Sequence, residues 1–326
     1  MKLNKLIESA GRRLAVPLMG YPGAELTRTS LKQNEFNWGV HFWSIAELAD
    51  QLNPDAMFFM MDLSIEAGAL GFPIRYPLQE SPSVEMHLVK TEADLEQFMA
   101  VDILKDARVN ATLQTMRLMA DNLSPLKGGY CIGPFTLAGL LMGASEAAIA
   151  TLDNPSLLHK VLQFGANVIT RYAVSLVDHG ADMIAILEPT AVMLSPGQFE
   201  EFSGAYVRPI TRAVHAISIL HVCGDTTHLV DKMCETGVEG LSLDSRVDFP
   251  AVAPRLKNEV ALIGNLDPVR TMRDMAADGV AAETRLFLEK TRGIRNLIVS
   301  TGCDLPQDTP IENIRVMIEE TKRFAL

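Results

Sequence analysis

Eight short apolar runs punctuate this chain, at residues 14–20, 56–61, 129–133, 182–187, 217–220, 239–243, 260–263 and 297–300. A strand covered on both faces needs continuous apolar character over four to six residues, and parallel sheets are covered in this way by their crossover helices. Stretches with helical spacing separate most of the runs. Eight such alternations predict an α/β fold, a (β/α)8 TIM barrel, in one domain spanning residues 1–326. A length of 326 residues with 48% hydrophobic content suits that barrel as a single unit. The residues before the first run form an N-terminal extension. Residues 72–90 break the rhythm with Pro73, Pro77 and Pro82, followed by the alternating Val84-Glu85-Met86-His87-Leu88-Val89. They read as a loop or hairpin excursion.

Helix starts are signalled by capping chemistry. Thr91-Glu92-Ala93-Asp94 is a capping box with Asp in the third position, opening a helical region in one or two pieces to about Met119. Asn154-Pro155 opens a long helix to about Val177, with Asn as cap and Pro at the first helical position. Ser195-Pro196-Gly197-Gln198 and Thr309-Pro310-Ile311-Glu312 are further capping boxes, and Asp267-Pro268 predicts another helix start. Residues 38–52 have helical spacing.

The charge balance excludes one class of partner. A net charge of −11 without any block of Lys and Arg argues against nucleic acid, since phosphate contacts need clustered cations. The first eight residues carry charge too early for a signal peptide, and no apolar run is long enough to span a bilayer. A cytoplasmic protein without membrane contact is expected. Four cysteines are too few for a disulfide framework in a chain this long, so they read as ligands, nucleophiles or core residues.

In a (β/α)8 barrel the active site lies at the C-terminal ends of the strands. The polar residues that close the runs here are Asp62, Glu188, His221, Cys223, Asp244, Asn265, Asp267 and Cys303. His221 and Cys223 are two apart, so an extended strand end points both the same way. Cys303 comes 80 positions later, at the end of the last run. One imidazole and two thiolates are a zinc set, and three ligands without a fourth Cys or His suggest an open, reactive metal. Asp244, Asn265 and Asp267 are candidates to face a cofactor, or else to cap helices and brace loops. Cys131 and Cys234 read as packing, and His228 as a cap or surface residue. The sixteen methionines suit an adaptable core.

Several motifs then carry a resemblance. Gly133-Pro134-Phe135-Thr136-Leu137-Ala138, Leu241-Ser242-Leu243-Asp244, Gly264-Asn265-Leu266-Asp267-Pro268 and Asp308-Thr309-Pro310-Ile311-Glu312-Asn313 resemble the uroporphyrinogen decarboxylase superfamily. Within it, His221, Cys223 and Cys303, with Ile65-Glu66-Ala67-Gly68-Ala69-Leu70-Gly71, look like the corrinoid-dependent methyltransferase branch. The decarboxylases carry an Arg-rich segment where this chain has Leu18-Met19-Gly20-Tyr21-Pro22-Gly23-Ala24, although Asp62 matches their catalytic Asp in position.

The resemblance implies a zinc-dependent enzyme that moves a methyl group from a methylcobamide, held on a separate corrinoid protein, to a small thiol such as coenzyme M. It implies Zn2+ on His221, Cys223 and Cys303. Glu188 is the candidate for a weak fourth ligand that the incoming thiol displaces, and Asp62 is a second catalytic candidate. The alternatives are a metal-free decarboxylase-like tetrapyrrole enzyme and a non-catalytic corrinoid- or tetrapyrrole-binding protein.

Overall fold

The computed structural model describes residues 2–256 and 259–325. All eight apolar runs contain parallel strands. They are β1 (Leu14–Ala15), β2 (Ala56–Phe58), β3 (Leu126–Ile132), β4 (Met183–Leu187), β5 (Ile217–Val222), β6 (Gly240–Leu243), β7 (Ala261–Leu266) and β8 (Leu297–Thr301). The ladder runs from β2 through β3, β4, β5, β6, β7 and β8 to β1, every neighbouring pair parallel. That is the order of a (β/α)8 barrel, with helices between successive strands.

The seam between β1 and β2 is bridged by one residue, through its backbone and its side chain. Asp55, just before β2, donates its N–H to the Ala15 carbonyl at 3.0 Å. Its carboxylate accepts the Ala15 N–H at 2.8 Å and both Arg12 Nη groups at 2.9 and 2.7 Å. Burial pushes the Asp55 carboxyl up, but the hydrogen bonds from Arg12 and Ala15 outweigh it and hold the group below its ordinary value. The N-terminal helix Leu3–Ala10 packs near the start of β6, with the Leu3 N–H on Glu239 Oε2 at 2.8 Å. The barrel interior is filled by side chains such as Val16, Phe58, Tyr130, Met183, Ile219 and Ile298, leaving a void of about 20 Å³.

Most helix starts follow the capping signals. Thr91 and Ser195 form reciprocal capping boxes, and Asn154 caps the long helix Pro155–Asp178. The helical region after Thr91 is broken into Glu92–Glu96, a 3-10 turn and Ala107–Asn122. The excursion is a short antiparallel pairing of Ile74–Arg75 with Ser83–Val84. Two expectations differ from the structure. The last helix, Ile311–Arg323, has no side-chain cap, and the Thr309 hydroxyl has no partner, so the Thr-Pro signal is not used as a box. Asp267-Pro268 opens a run of turns, and the helix begins only at Ala277. Among the described residues, no single helix is long and apolar enough to cross a membrane.

Replacing the seam residue tests its weight. Asp55→Ala strands a charged guanidinium and a backbone donor. It is expected to lower the unfolding free energy by about 2–3 kcal/mol. A urea unfolding midpoint equal to that of the parent protein would show that the seam is held elsewhere.

Candidate metal centre at the barrel mouth

Three side chains from β5 and β8 converge. His221 is the penultimate residue of β5, Cys223 follows its last residue, and Cys303 lies two beyond the end of β8. His221 Nε2 is 3.0 Å from Cys223 Sγ, the two sulfurs are 3.3 Å apart, and Cys303 Sγ is 3.8 Å from His221 Nε2. Both cysteines are free thiols, and their separation is far beyond a disulfide bond. The hydrogen bond between the sulfurs lowers the Cys223 pKa and raises that of Cys303, which burial raises further. The two thiols are therefore coupled, each shifting the other's titration in the opposite direction.

The donor set fits zinc. Tetrahedral bonds of about 2.0 Å to nitrogen and 2.3 Å to sulfur separate ligand atoms by roughly 3.5–3.8 Å. Adjustments of roughly half an ångström would bring the three atoms to that geometry. His221 is 1% exposed, and its Nδ1 lies 2.9 Å from Ser242 Oγ on β6. If the serine oxygen accepts from Nδ1–H, the lone pair on Nε2 faces the two sulfurs, the arrangement a metal-binding histidine needs. Ser242 is a polar residue inside an apolar strand, which was the available signal for it. The two cysteines remain partly exposed, so the centre is reachable from one side.

The local chain geometry is specific. A side chain at Gly302 would place its Cβ 2.5 Å from the Ser245 backbone nitrogen, so only glycine lets β8 pass the β6 loop and deliver Cys303. Asp244 Oδ2 accepts the Gly224 N–H at 2.9 Å, pinning the turn that follows Cys223. Asn265 Nδ2 donates to the Asp244 and Val247 carbonyls at 2.8 and 2.7 Å, and Asp267 Oδ1 accepts the N–H groups of Val269 and Arg270 at 2.9 and 2.7 Å. The side-chain groups expected to face a cofactor at Asp244, Asn265 and Asp267 are thus engaged with backbone, as loop braces.

Glu188 also differs from the expectation of a fourth ligand. It is fully buried, with Oε1 accepting from Phe135 N at 2.8 Å and Ser203 Oγ at 2.7 Å, and Oε2 from Thr136 N at 2.8 Å. Burial raises its pKa, and bonds from Ser203, Thr136 and Phe135 pull it back. It caps the helix Pro134–Met142 and is absent from the group of ligand atoms lying within 4.8 Å of one another, which comprises His221, Cys223 and Cys303. A carboxylate at a helix N-terminus also meets the positive end of the helix dipole. Gly133 is needed there because a Cβ would lie 2.2 Å from Glu188 Oε2.

Asp62 sits at the end of the second apolar run. Its Oδ1 accepts the Ser64 N–H and hydroxyl, each at 2.7 Å, and its Oδ2 pairs with Arg108, which is itself buried. The Arg108 guanidinium lies 5.5 Å from the Phe36 ring centre and 4.8 Å from that of Tyr76. Arg108 carried no sequence signal, being one arginine on one helix. His41 likewise has no metal-ligand spacing in the sequence. Burial holds it neutral, with Arg108 adding to the effect and its pKa down at about 3, and its Nε2 accepts the Met60 N–H at 3.1 Å. Cys131 and Cys234 are buried packing residues, as expected. His228 is exposed, with Nε2 3.0 Å from the Leu194 carbonyl oxygen.

Fold and site define a (β/α)8 barrel with a thiol-rich metal-competent centre on its C-terminal rim. A profile of the uroporphyrinogen decarboxylase (URO-D) family matches residues 45–324. The chain belongs to that family. It is similar to methylcobamide:CoM methyltransferase MtbA of Methanosarcina acetivorans, 31% identical over 280 residues, covering 83% of this chain and 80% of that one. It is also similar, at 23% over 279 residues, to the uroporphyrinogen decarboxylase of Thermodesulfovibrio yellowstonii, covering 84% of this chain and 80% of that one. A solved structure described as a methyltransferase from Methanosarcina mazei superposes with a TM-score of 0.89 over 98% of both chains at 21% identity, which places the fold.

Two variants separate ligation from bracing. Ser242→Ala should lower zinc affinity about tenfold or more by releasing the His221 tautomer, read by competition with a metal-binding dye. Glu188→Gln should keep one zinc per chain while lowering thermal stability. Loss of the metal in Glu188→Gln with unchanged stability would restore Glu188 as a ligand.

Proposed function

We propose that this protein is a zinc-dependent methyltransferase that takes a methyl group from a methylated corrinoid carried on a separate protein and gives it to a small thiol. The observation that carries the reading is the convergence of His221, Cys223 and Cys303 at the mouth with one side open. The methyltransferase activity for which the Methanosarcina relatives matching over most of the chain are named supports it.

When bound, zinc would lower the pKa of a coordinated thiol and keep it a nucleophilic thiolate at neutral pH. His221, Cys223 and Cys303 would hold the ion. Ser242 orients the imidazole, Gly302 admits the Cys303 turn, and Asp244 pins the turn after Cys223. Transfer would join the acceptor sulfur to the methyl carbon, the corrinoid would retain the electron pair of the bond it gives up, and the thiol proton would leave to solvent. The corrinoid supplies the labile methyl group, while the barrel positions and activates the sulfur. The partner would therefore dock over the mouth, where the partly exposed cysteines are reachable.

The decarboxylase reading lacks a comparable observation. Residues 18–24 contain no arginine to meet a poly-anionic porphyrinogen, in a chain of net charge −11.

The test is elemental analysis followed by methyl transfer. Purified protein is expected to hold one zinc per chain and to methylate a thiol from methylcobalamin. His221→Ala and Cys303→Ala should fold normally, lose the zinc and lose the transfer. Stoichiometric zinc in both variants would remove these residues from the centre.

A further inference from the structure

We propose that Cys223 and Cys303 are also a modification site for hydrogen peroxide, which joins the two sulfurs in a disulfide and expels the zinc they hold. The inference deepens the zinc-dependent reading of this site and rests on it for the expulsion of the metal.

The geometry of the pair carries it. The two sulfurs come from strand ends 80 positions apart and stand 3.3 Å from one another. Two sulfurs on a tetrahedral zinc lie roughly 3.7 Å apart, so the pair is at contact distance with or without the ion. The bond length of a disulfide is about 1.3 Å shorter than the observed separation, a movement within reach of side-chain rotation. Access favours the same two residues. Cys223 and Cys303 are partly exposed at the mouth, whereas Cys131 is 2% and Cys234 6% exposed. A dissolved oxidant therefore meets the ligand pair first. An accessible cysteine with a second thiol in contact is the arrangement of redox-responsive sites, because the neighbour captures the oxidised sulfur before another oxidant arrives.

The reaction balances with peroxide as the only oxidant. One thiol sulfur attacks a peroxide oxygen, the O–O bond breaks, and a sulfenic acid and one water result. The second thiol sulfur attacks the sulfenic sulfur, the S–S bond forms as the S–O bond breaks, and a second water leaves. The two sulfurs together give up two electrons, and both peroxide oxygens end in water. Starting from zinc-bound thiolates, the two protons come from solvent. Zinc needs thiolate ligands, and sulfurs bonded to each other no longer carry that charge. His221 is then the one member left of the set His221, Cys223 and Cys303, and a single imidazole does not retain the ion. A dithiol reopens the bridge by thiol–disulfide exchange. Thiol activation at the mouth therefore stops under peroxide and resumes once reductant and zinc return.

The test treats the zinc-loaded full chain, freed of reductant, with a small molar excess of hydrogen peroxide. Released zinc is read with a metal-binding dye, and the cysteines are read by alkylation and peptide mapping without reduction. Loss of the bound zinc is expected together with loss of two alkylatable thiols, and the peptides carrying Cys223 and Cys303 should be joined. Dithiothreitol with added zinc should separate them and restore the metal. Cys303→Ser should let dimedone, which traps sulfenic acid, label Cys223 far more than in the parent chain. Sulfinic acid at either cysteine without a bridge, a bridge to Cys131 or Cys234, or zinc that stays bound in the bridged chain would overturn the proposal. Should the Cys303→Ser chain not fold, the peptide map of the parent decides alone. If the purified chain takes up no zinc, the zinc-dependent reading falls, and the same map on that chain then decides the redox site: a bridge between Cys223 and Cys303 upholds it, and no bridge overturns it.

Discussion

The stagger of the parallel ladder is the constraint on which the candidate metal centre depends. Register pairs His221 with Ser242, Ser242 with Ile263, and Ile263 with Ile298. Cys303 lies five residues past the end of that row, yet its sulfur touches Cys223. Strands in a closed barrel tilt against the axis, so each step round the sheet offsets the register. The tilt lets a residue beyond the end of β8 meet one just past the end of β5. A flat or open arrangement of the same strands would leave the two sulfurs on separate edges.

Rigidity at the rim comes from buried polar groups that bond backbone. Glu188 closes the start of the helix after β3, Asp244 pins the turn after Cys223, and Asn265 ties the β6 loop to β7. Each satisfies N–H or C=O groups that would otherwise be buried without partners, at a cost of about 1–3 kcal/mol apiece. These braces give residues 133–136 a structural role in this chain. Gly133 leaves space for the Glu188 carboxylate, and Phe135 and Thr136 offer it their N–H groups. A ligand set held by such loops keeps its geometry without the metal having to impose it, and the two thiols already stand within contact of the imidazole.

Much of the fold was legible because strand burial leaves a direct trace. The eight runs of apolar residues correspond one to one with the eight strands, since a strand covered on both faces admits few polar side chains. Capping chemistry located several helix starts for a similar reason, being local. It failed at Thr309 and at Asp267-Pro268, where the polar residue serves a turn or nothing, and local sequence cannot distinguish a turn from a first helical turn. The three candidate ligands were legible from residue type and position at strand ends. Glu188, Asp244, Asn265 and Asp267 share that position, and sequence alone could not tell a carboxylate facing the mouth from one turned back to cap a helix.

By itself the sequence determined the number and order of the strands, their burial and the donor types at their ends, because these follow from local apolar pattern and side-chain chemistry. Tertiary structure alone decided which polar groups are free. It spent Glu188 on a helix end, paired Asp62 with Arg108 from a distant helix, put Ser242 behind His221, and left oxygens of Glu35 and Asp304 without partners. Hydrogen-bond saturation is a property of neighbours in space, and those neighbours come from elements scattered along the chain, so no reading of one segment at a time could have assigned it.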